Sequence, residues 1–198
     1  MAVTIDDIKK LKELTGVGLT DAKVALVEAD GDFDKALEAM RKKGLTKAEK
    51  KGDREARAGV IDSYVHDGRI GVVVEVNCET DFVARLEDFK TLAHQIAMQI
   101  AAMNPSYVSE DDISPEEKER VKNELMESDA LAGKPEDMRE KIVDGQLSKH
   151  FADQVLMTQK YILDDNKTVA EHVKEAIAKS GENIVVRQFK RIELGVSE

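Results

Sequence analysis

The sequence predicts an α+β protein in which three short helices precede a small antiparallel sheet covered by helices. Three observations support this class. Apolar residues recur at helical spacing through the first 45 residues. Two alternating segments flank Asp67-Gly68, a dipeptide typical of a two-residue β-hairpin turn. A further helical pattern is followed by a third alternating segment near the end of the chain.

The first two helices carry local start signals. Thr4 and Asp7 have the spacing of a capping box, with Asp in place of the usual Glu. Segment 15–18 contains two glycines and is predicted to end the first helix, and Thr20 is predicted to cap the second. The apolar positions of the two helices are Ile5, Ile8, Leu11 and Leu14, then Ala22, Ala25, Leu26 and Ala29.

A tight turn at residues 30–32 leads into the third helix. Asp32 can cap this helix, and Gly44 is predicted to end it, because glycine favours the left-handed conformation that often follows a helix. The acids in this turn do not form a calcium loop, since an EF-hand needs glycine at the position that Lys35 occupies. We therefore predict a three-helix domain over residues 1–45.

Residues 46–57 are predicted to form a basic, partly helical linker, because lysine and arginine outnumber acids there. The run could contact RNA, but charged runs are usually solvated surfaces, so a connector between domains is favoured. The side chains that could still touch an acidic partner are Lys47, Lys50, Lys51 and Arg54.

The α+β core is predicted to span residues 58–198, beginning with a hairpin. Strands over 60–65 and 69–77 pair antiparallel through the Asp67-Gly68 turn. The second strand alternates cleanly, and its apolar face consists of Ile70, Val72, Val74 and Val76.

Two amphipathic helices and a last strand complete the predicted core. The first helix spans about 86–103 and ends at Asn104-Pro105. Thr168 can cap the second helix, Gly181 ends it, and residues 183–194 form the strand.

Between these helices lies an acid-rich segment from Ser109 to Glu140. Pro115 and Pro135 each suit the first turn of a helix, and Gly133 lies between them. We predict a solvated helical hairpin inserted beside the sheet.

Composition limits the classes of function. The net charge of -10 disfavours general binding to nucleic acid, which needs clustered cations. The single cysteine, Cys78, excludes an internal disulfide and fits a reducing compartment. The sequence has neither an apolar stretch of membrane-spanning length nor a basic start followed by an apolar run. We expect a soluble, cytoplasmic protein without membrane association.

The sequence offers no catalytic or metal-binding pattern. It lacks a phosphate-binding P-loop, a Gly-x-Ser-x-Gly motif and a Cys-His arrangement. Its histidines do not have metal-ligand spacing; they are His66, His94, His150 and His172. We therefore predict a protein that is not an enzyme and that holds no cofactor or metal.

The candidate site is the joint between the second strand and the long helix, residues 79–85. Asp81 and Phe82 lie side by side there, where loops usually present residues outward. Phe82 can be an ordinary core residue, as phenylalanine often is, and its position alone favours that interpretation. Alternatively it is an exposed, rigid wedge for a partner, with Asp81 competing for a cation; the rest of the chain favours this second interpretation.

The run from Val76 to Ala84, Val-Asn-Cys-Glu-Thr-Asp-Phe-Val-Ala, resembles the signature of the elongation factor Ts family. Members of that family are nucleotide exchange factors of the translational GTPase elongation factor Tu. The likeness covers almost the whole chain and includes segments 11–16, 21–26, 94–101, 132–145 and 166–169.

The resemblance implies a mechanism and site residues. The loop formed by Thr80, Asp81, Phe82 and Val83 would dislodge the magnesium ion of GDP-bound elongation factor Tu and so promote exchange of GDP for GTP. The magnesium belongs to the partner. The front domain resembles the ubiquitin-associated type and would grip the GTPase. Further implied partner-binding residues are Leu11, Val17, Leu19 and His94.

The resemblance also implies a homodimer. Long family members carry the core subdomain twice, whereas this chain has room for one copy, and short members pair instead. An unpaired edge strand could serve that pairing. Two other functions stay open: an adaptor that tethers proteins through its front domain without altering nucleotide binding, and RNA binding through the basic linker.

Overall fold

The structure is a computed structural model that describes residues 3–15, 17–126 and 136–196. Across these residues no helix is both long enough and apolar enough to cross a membrane. The front part contains α1 (Ile5–Thr15), α2 (Leu19–Glu28) and α3 (Phe33–Glu49). The remainder contains β1 (Ala58–His66), β2 (Ile70–Cys78), α4 (Asp81–Ala84), α5 (Glu87–Met103), α6 (Pro115–Met126), α7 (Glu136–Ala152), β3 (Lys160–Tyr161), β4 (Asp164–Thr168), α8 (Val169–Ser180) and β5 (Ile184–Glu193).

The capping signals at α1 and α3 are confirmed. The backbone N–H of Asp7 donates to Thr4 Oγ1 over 3.1 Å, and Thr4 N–H donates back to Asp7 Oδ2 over 3.3 Å. At α3 the side chain of Asp32 accepts from the backbone N–H of Lys35 over 3.1 Å. These bonds satisfy backbone donors that a helix start otherwise leaves unpaired.

The prediction that Thr20 caps the second helix is wrong. Helix α2 begins at Leu19, its cap residue is Gly18, and no side-chain capping bond is made. Thr20 therefore lies inside the first turn. The three helices share a small core of Leu11, Ala22, Ala25, Leu26, Ala36 and Met40.

The prediction that Gly44 ends the third helix is also wrong, because α3 continues to Glu49. The reason is packing against α8. A Cβ atom at Gly44 would lie 3.3 Å from Ala178 Cβ, so glycine lets the two helices approach closely. The continued helix carries Ala48 into the main core, and α3 thus joins the front part to the sheet.

The sheet is antiparallel and three-stranded, as the sequence pattern predicts, and its strand order is β1-β2-β5. Strands β1 and β2 are joined by Asp67 and Gly68, whose φ angles of 48° and 66° fit the predicted turn. The pairing of β2 with β5 shifts after Glu75 at a bulge.

Helices α5 and α8 cover one face of this sheet. Asn104, with a φ of 46°, ends α5, and Gly181, with a φ of 81°, ends α8. Thr168 caps α8 by accepting from the backbone N–H of Glu171 over 3.2 Å. Apolar side chains of both helices meet the strands in a core that includes Val72, Val74, Val76, Phe89, Ile96, Ile100, Val173 and Ile177.

The opposite face of the sheet exposes apolar side chains. In the strand register Gly71 pairs with Val65 on one side and with Ile192 on the other. Because Gly71 has no side chain, these two residues flank a shallow apolar strip. The exposed apolar residues of this open face are Ile61, Val65, Val73 and Ile192.

A short hairpin of β3 and β4 was not indicated by the sequence pattern. The fully buried side chain of Gln99, on α5, fastens it to the core. Gln99 Nε2 donates to the carbonyl of Lys160 over 3.1 Å, and its Oε1 accepts from the backbone N–H of Ile162 over 2.9 Å. The hairpin tip is thereby fixed beside α5.

Helix α6 begins at Pro115, as predicted, and packs against α7. A separate small core lies around these helices and contains Ile113, Val121, Phe151 and Val155. The predicted helix start at Pro135 and the glycine turn at Gly133 lie outside the described residues.

Candidate partner-binding site after strand β2

The candidate site is a short turn of helix that directly follows the central strand. Strand β2 ends at Cys78, and α4 occupies Asp81–Ala84. Thr80 is the cap residue of α4, and its Oγ1 accepts from the backbone N–H of Val83 over 3.5 Å. The long helix α5 follows immediately, so the turn is held between two regular elements.

Within this turn Phe82 points to solvent. It exposes 79% of its surface, whereas its neighbours Val83 and Ala84 are buried in the main core. The core interpretation of Phe82 is therefore excluded for the free chain, and the exposure expected of a wedge is observed. An aromatic side chain this exposed is a common feature of protein-binding surfaces.

Asp81 forms an ion pair within the same turn. Its Oδ2 accepts from Arg85 Nη2 over 2.7 Å, and both side chains are exposed. Such surface pairs contribute little to stability and exchange partners easily. The carboxylate of Asp81 is therefore available for another cation at small cost.

Hydrogen bonds to residues far away in sequence fix the backbone at the start of the site. Thr80 donates from its backbone N–H and its hydroxyl to the carboxylate of Glu182, over 3.0 and 2.6 Å. The backbone N–H of Asn183 donates to Glu79 Oε1 over 2.6 Å. Sequence analysis missed these residues, because nothing local marks a pairing between positions more than 100 residues apart.

Cys78 lies beneath the site. It is fully buried, and its Sγ donates to the carbonyl of Thr80 over 3.1 Å. Burial raises the pKa of the Cys78 thiol, with the nearby Glu182 carboxylate adding to the effect. Cys78 therefore acts in this structure as a small packing residue.

A groove separates the front helices from the core next to this site. Its volume is about 430 Å³, and Leu14 of α1 and Leu86, just before α5, face it with more than half of each side chain exposed. Lys179 and Asp88 close one side through an ion pair of 2.7 Å. The groove thus extends an apolar surface from the α4 turn toward the front domain.

The three residues predicted in the front domain differ in accessibility. Leu19 is exposed, Val17 is half-buried, and Leu11 is fully buried in the front core. Leu11 can therefore support a binding surface only by holding the helices beneath it. Leu14, about one turn further along α1, is exposed.

His94 lies on a second part of the surface. Its Nδ1–H donates to Asp62 Oδ2 over 3.1 Å, and its ring meets Tyr64 edge-on with centroids 5.8 Å apart. Leu163, at the exposed tip of the β3–β4 hairpin, lines the same shallow groove. This tip is a candidate contact that sequence analysis missed; the adjacent pair Ile162-Leu163 was the available signal.

The described residues contain no group of three or more His, Cys, Asp or Glu side chains arranged to hold a metal ion. The groups that the site presents are an exposed ring, an ion-paired surface carboxylate and an adjoining apolar surface.

Comparison with known proteins identifies the family. A sequence profile described as "Elongation factor TS" matches residues 32–196. Elongation factor Ts of Fervidobacterium nodosum is 48% identical over 196 residues, covering 98% of this chain and 100% of the relative. Elongation factor Ts of Syntrophomonas wolfei is 50% identical, covering 98% and 91%. Elongation factor Ts of Thermodesulfovibrio yellowstonii is 46% identical, covering 100% and 99%. This chain therefore belongs to the elongation factor Ts family of translation elongation factors.

Proposed function

We propose that this chain is a guanine nucleotide exchange factor that binds elongation factor Tu with GDP and promotes exchange of GDP for GTP. The exposure of Phe82 on a turn fixed between β2 and α5 is the observation that carries the proposal. Leaving a large aromatic ring in water has no benefit to the free protein. A partner that covers the ring gains the free energy of burying it, and no part of the free chain has to unfold to expose the ring.

The magnesium ion of the partner is the target. In a GTPase, magnesium bridges the phosphates and neutralises their charge, so it is a large part of nucleotide retention. Phe82 enters the GTPase near this ion, while Thr80, Asp81 and Val83 shape the insertion. Losing the ion weakens GDP binding without any covalent step, and the factor therefore acts without being an enzyme.

Thermodynamic linkage limits what the factor does. If it lowers the affinity of GDP by some ratio, GDP lowers the affinity of the factor by the same ratio. The factor speeds exchange in both directions, and the supply of GTP sets the net direction. A tight complex with the nucleotide-free partner is the expected intermediate.

The front domain, assigned to residues 1–45 and to the ubiquitin-associated type, supplies the grip. Leu19 and Val17 lie on its accessible surface, with Leu11 supporting them from the core. His94 adds a contact on the sheet domain of residues 58–198. The segment 46–57 connects the two, and α6 with α7 forms a helical hairpin beside the sheet. These roles place the factor in the cytoplasm, with no direct binding of nucleic acid or membrane.

A second copy of the chain is the proposed occupant of the open sheet face. The face carries four exposed apolar side chains around the strip at Gly71, while the opposite face is covered by helices. Antiparallel sheets often leave one face in water, but that face is then usually polar, so a cluster of exposed apolar side chains indicates an interaction surface. Pairing about a two-fold axis would bring two identical patches together, as the family's short members imply. Pairing through the edges of β1 or β5 is the alternative.

The test is release of a fluorescent GDP analogue from elongation factor Tu. The intact chain should accelerate release, and Phe82→Ala should slow the accelerated rate by about 30-fold, the equivalent of a hot-spot residue of about 2 kcal/mol. Met138→Ala, which truncates an exposed apolar side chain of α7, is the matched control for general loss of surface. Binding without acceleration would favour an adaptor instead, and strongly salt-dependent binding to RNA would favour the basic linker as the functional element.

A further inference from the structure

Glu182 lies in the turn between α8 and β5, 102 residues after Thr80 in sequence. Its two carboxylate oxygens accept from two donors of Thr80, the backbone N–H and the hydroxyl. Hydrogen bonds to an ionised acceptor are about twice as strong as neutral ones. Thr80 directly precedes Asp81 and Phe82, so this pair acts on the backbone from which the exposed ring projects.

A second bond runs in the opposite direction. Glu79 accepts from the backbone N–H of Asn183 over 2.6 Å. Segments 79–80 and 182–183 therefore each present a carboxylate to the backbone of the other. Two such connections at adjacent residues restrict the orientation of residues 79 and 80 more than either connection would alone.

The turn that carries Glu182 is itself anchored. Asn183, 2% exposed, donates through Nδ2 to the carbonyls of Gly52 and Arg54, over 3.1 and 2.7 Å. Lys51 Nζ donates to the carbonyl of Gly181 over 2.5 Å. Glu182 thus acts from a support that is bound to the connector after α3.

We propose that Glu182 is a positioning residue, which holds Thr80 so that Phe82 is presented to the partner in one orientation. The role of this positioning in exchange rests on the proposed function, whereas the hydrogen bonds of Glu182 do not depend on it. A ring that is 79% exposed has few contacts to orient it. Its direction is set by its backbone, and Glu182 holds that backbone.

A tryptophan reporter tests the geometry without any partner. The chain contains no Trp, so Phe82→Trp introduces a single fluorophore at the site. Adding Glu182→Ala should lower the fluorescence anisotropy of this residue at 25 °C while the far-ultraviolet circular dichroism stays the same. Glu182→Gln keeps one oxygen acceptor and should give an intermediate anisotropy. The control is Glu124→Ala, which removes an exposed carboxylate paired with Arg120 on α6 and should change nothing.

Exchange measurements test the consequence. In the chain with Phe82, Glu182→Ala should reduce the maximal rate of GDP release from elongation factor Tu about tenfold. The double variant with Phe82→Ala should be no slower than Phe82→Ala alone, because both changes act through the ring.

The anisotropy and the GDP-release measurements together distinguish failure of the positioning role from failure of the exchange function. A lower melting temperature with unchanged anisotropy would mean that Glu182 only stabilises the fold, and would overturn the proposal. Losses that multiply in the double variant would overturn it too. If the intact chain does not accelerate GDP release, the exchange function fails, and the anisotropy alone still decides whether Glu182 orients the residue at position 82.

Discussion

Phe82 and Val83 are adjacent in the chain and opposite in environment: Phe82 exposes 79% of its surface, and Val83 exposes 8%. The short helix α4 turns one side chain to water and the next into the core beneath β2. Within a single turn, Phe82 is therefore available for binding, whereas Val83 contributes to the stability of the fold.

Truncating each residue to alanine should affect different properties of the free chain. Val83→Ala should lower the free energy of unfolding by about 2 kcal/mol, since it removes buried methyl groups. Phe82→Ala should change it by less than about 0.5 kcal/mol, because the ring is already in water. Urea denaturation of both variants gives the comparison. A large loss of stability in Phe82→Ala would restore the core interpretation of Phe82.

Two glycines inside helices should respond oppositely to added side chains. Gly44→Val should lower the free energy of unfolding by about 2 kcal/mol, because even a Cβ there comes within 3.3 Å of Ala178. Gly145→Ala in α7 should raise it by up to about 1 kcal/mol, since no atom of the described residues lies within 4 Å of a Cβ at that position. Ala178→Gly should recover part of the loss in Gly44→Val. A stabilised Gly44→Val chain would show that α3 does not pack on α8.

The features that the sequence predicts well are those that depend on neighbouring residues. The capping box at Thr4, the turn at Asp67-Gly68 and the left-handed end at Gly181 each need only a few residues to form. The hairpin fixes the pairing of β1 with β2, whereas the pairing of β5 with β2 and not with β1 depends on residues distant in sequence. The exposure of Phe82 followed instead from the resemblance to a family, since its position alone favoured burial.

The features that the sequence did not predict depend on distant residues. Gly44 looks like a helix end until Ala178 is known to face it. The β3–β4 hairpin is too short and polar to show a strand pattern, and Gln99 holds it from another element. The burial of Leu11 depends on which face of α1 the other two helices cover, and no local pattern shows that.

Replacing Gln99 with leucine should loosen the β3–β4 hairpin. The change removes the hydrogen bonds that Gln99 makes to the buried Gln159 Oε1, to the backbone N–H of Ile162 and to the carbonyl of Lys160, and an unpaired buried polar group costs about 1–3 kcal/mol. Amide hydrogen exchange over residues 160–168 should accelerate more than exchange in the sheet. The control is Gln188→Leu, an exposed glutamine on β5. Equal exchange in the two variants would contradict the anchoring role of Gln99.

His172 should make stability depend on pH. Burial, helped by the nearby Lys167 ammonium, lowers the pKa of His172 from its ordinary value of 6.5, although Glu175 and Asp164 act in the opposite direction. The unfolded chain therefore takes up the proton at a higher pH than the folded chain does. The contribution to stability is complete above about pH 6.5 and is lost as the pH falls toward the lowered pKa.

The measurement is the free energy of unfolding between pH 5 and 7.5. The intact chain should lose stability toward pH 5, and His172→Gln should reduce that slope. His150→Gln, a change at an exposed histidine of α7, is the control and should keep it. If His172→Gln retains the full slope, other groups are responsible for the pH dependence.

A charge on the open sheet face should separate the proposed dimer. Ile192 is 70% exposed in the single chain, so Ile192→Lys should hardly affect folding, yet it would place two lysines inside the pairing of two faces. Light scattering should give the mass of two chains for the intact protein and of one chain for Ile192→Lys. Val27→Lys, a change at an exposed apolar residue of α2, should remain dimeric. A dimer that persists in Ile192→Lys would point to pairing through a strand edge, because edge pairing uses backbone groups that this side chain does not contact. A single-chain mass for the intact protein would show that the proposed dimer does not form.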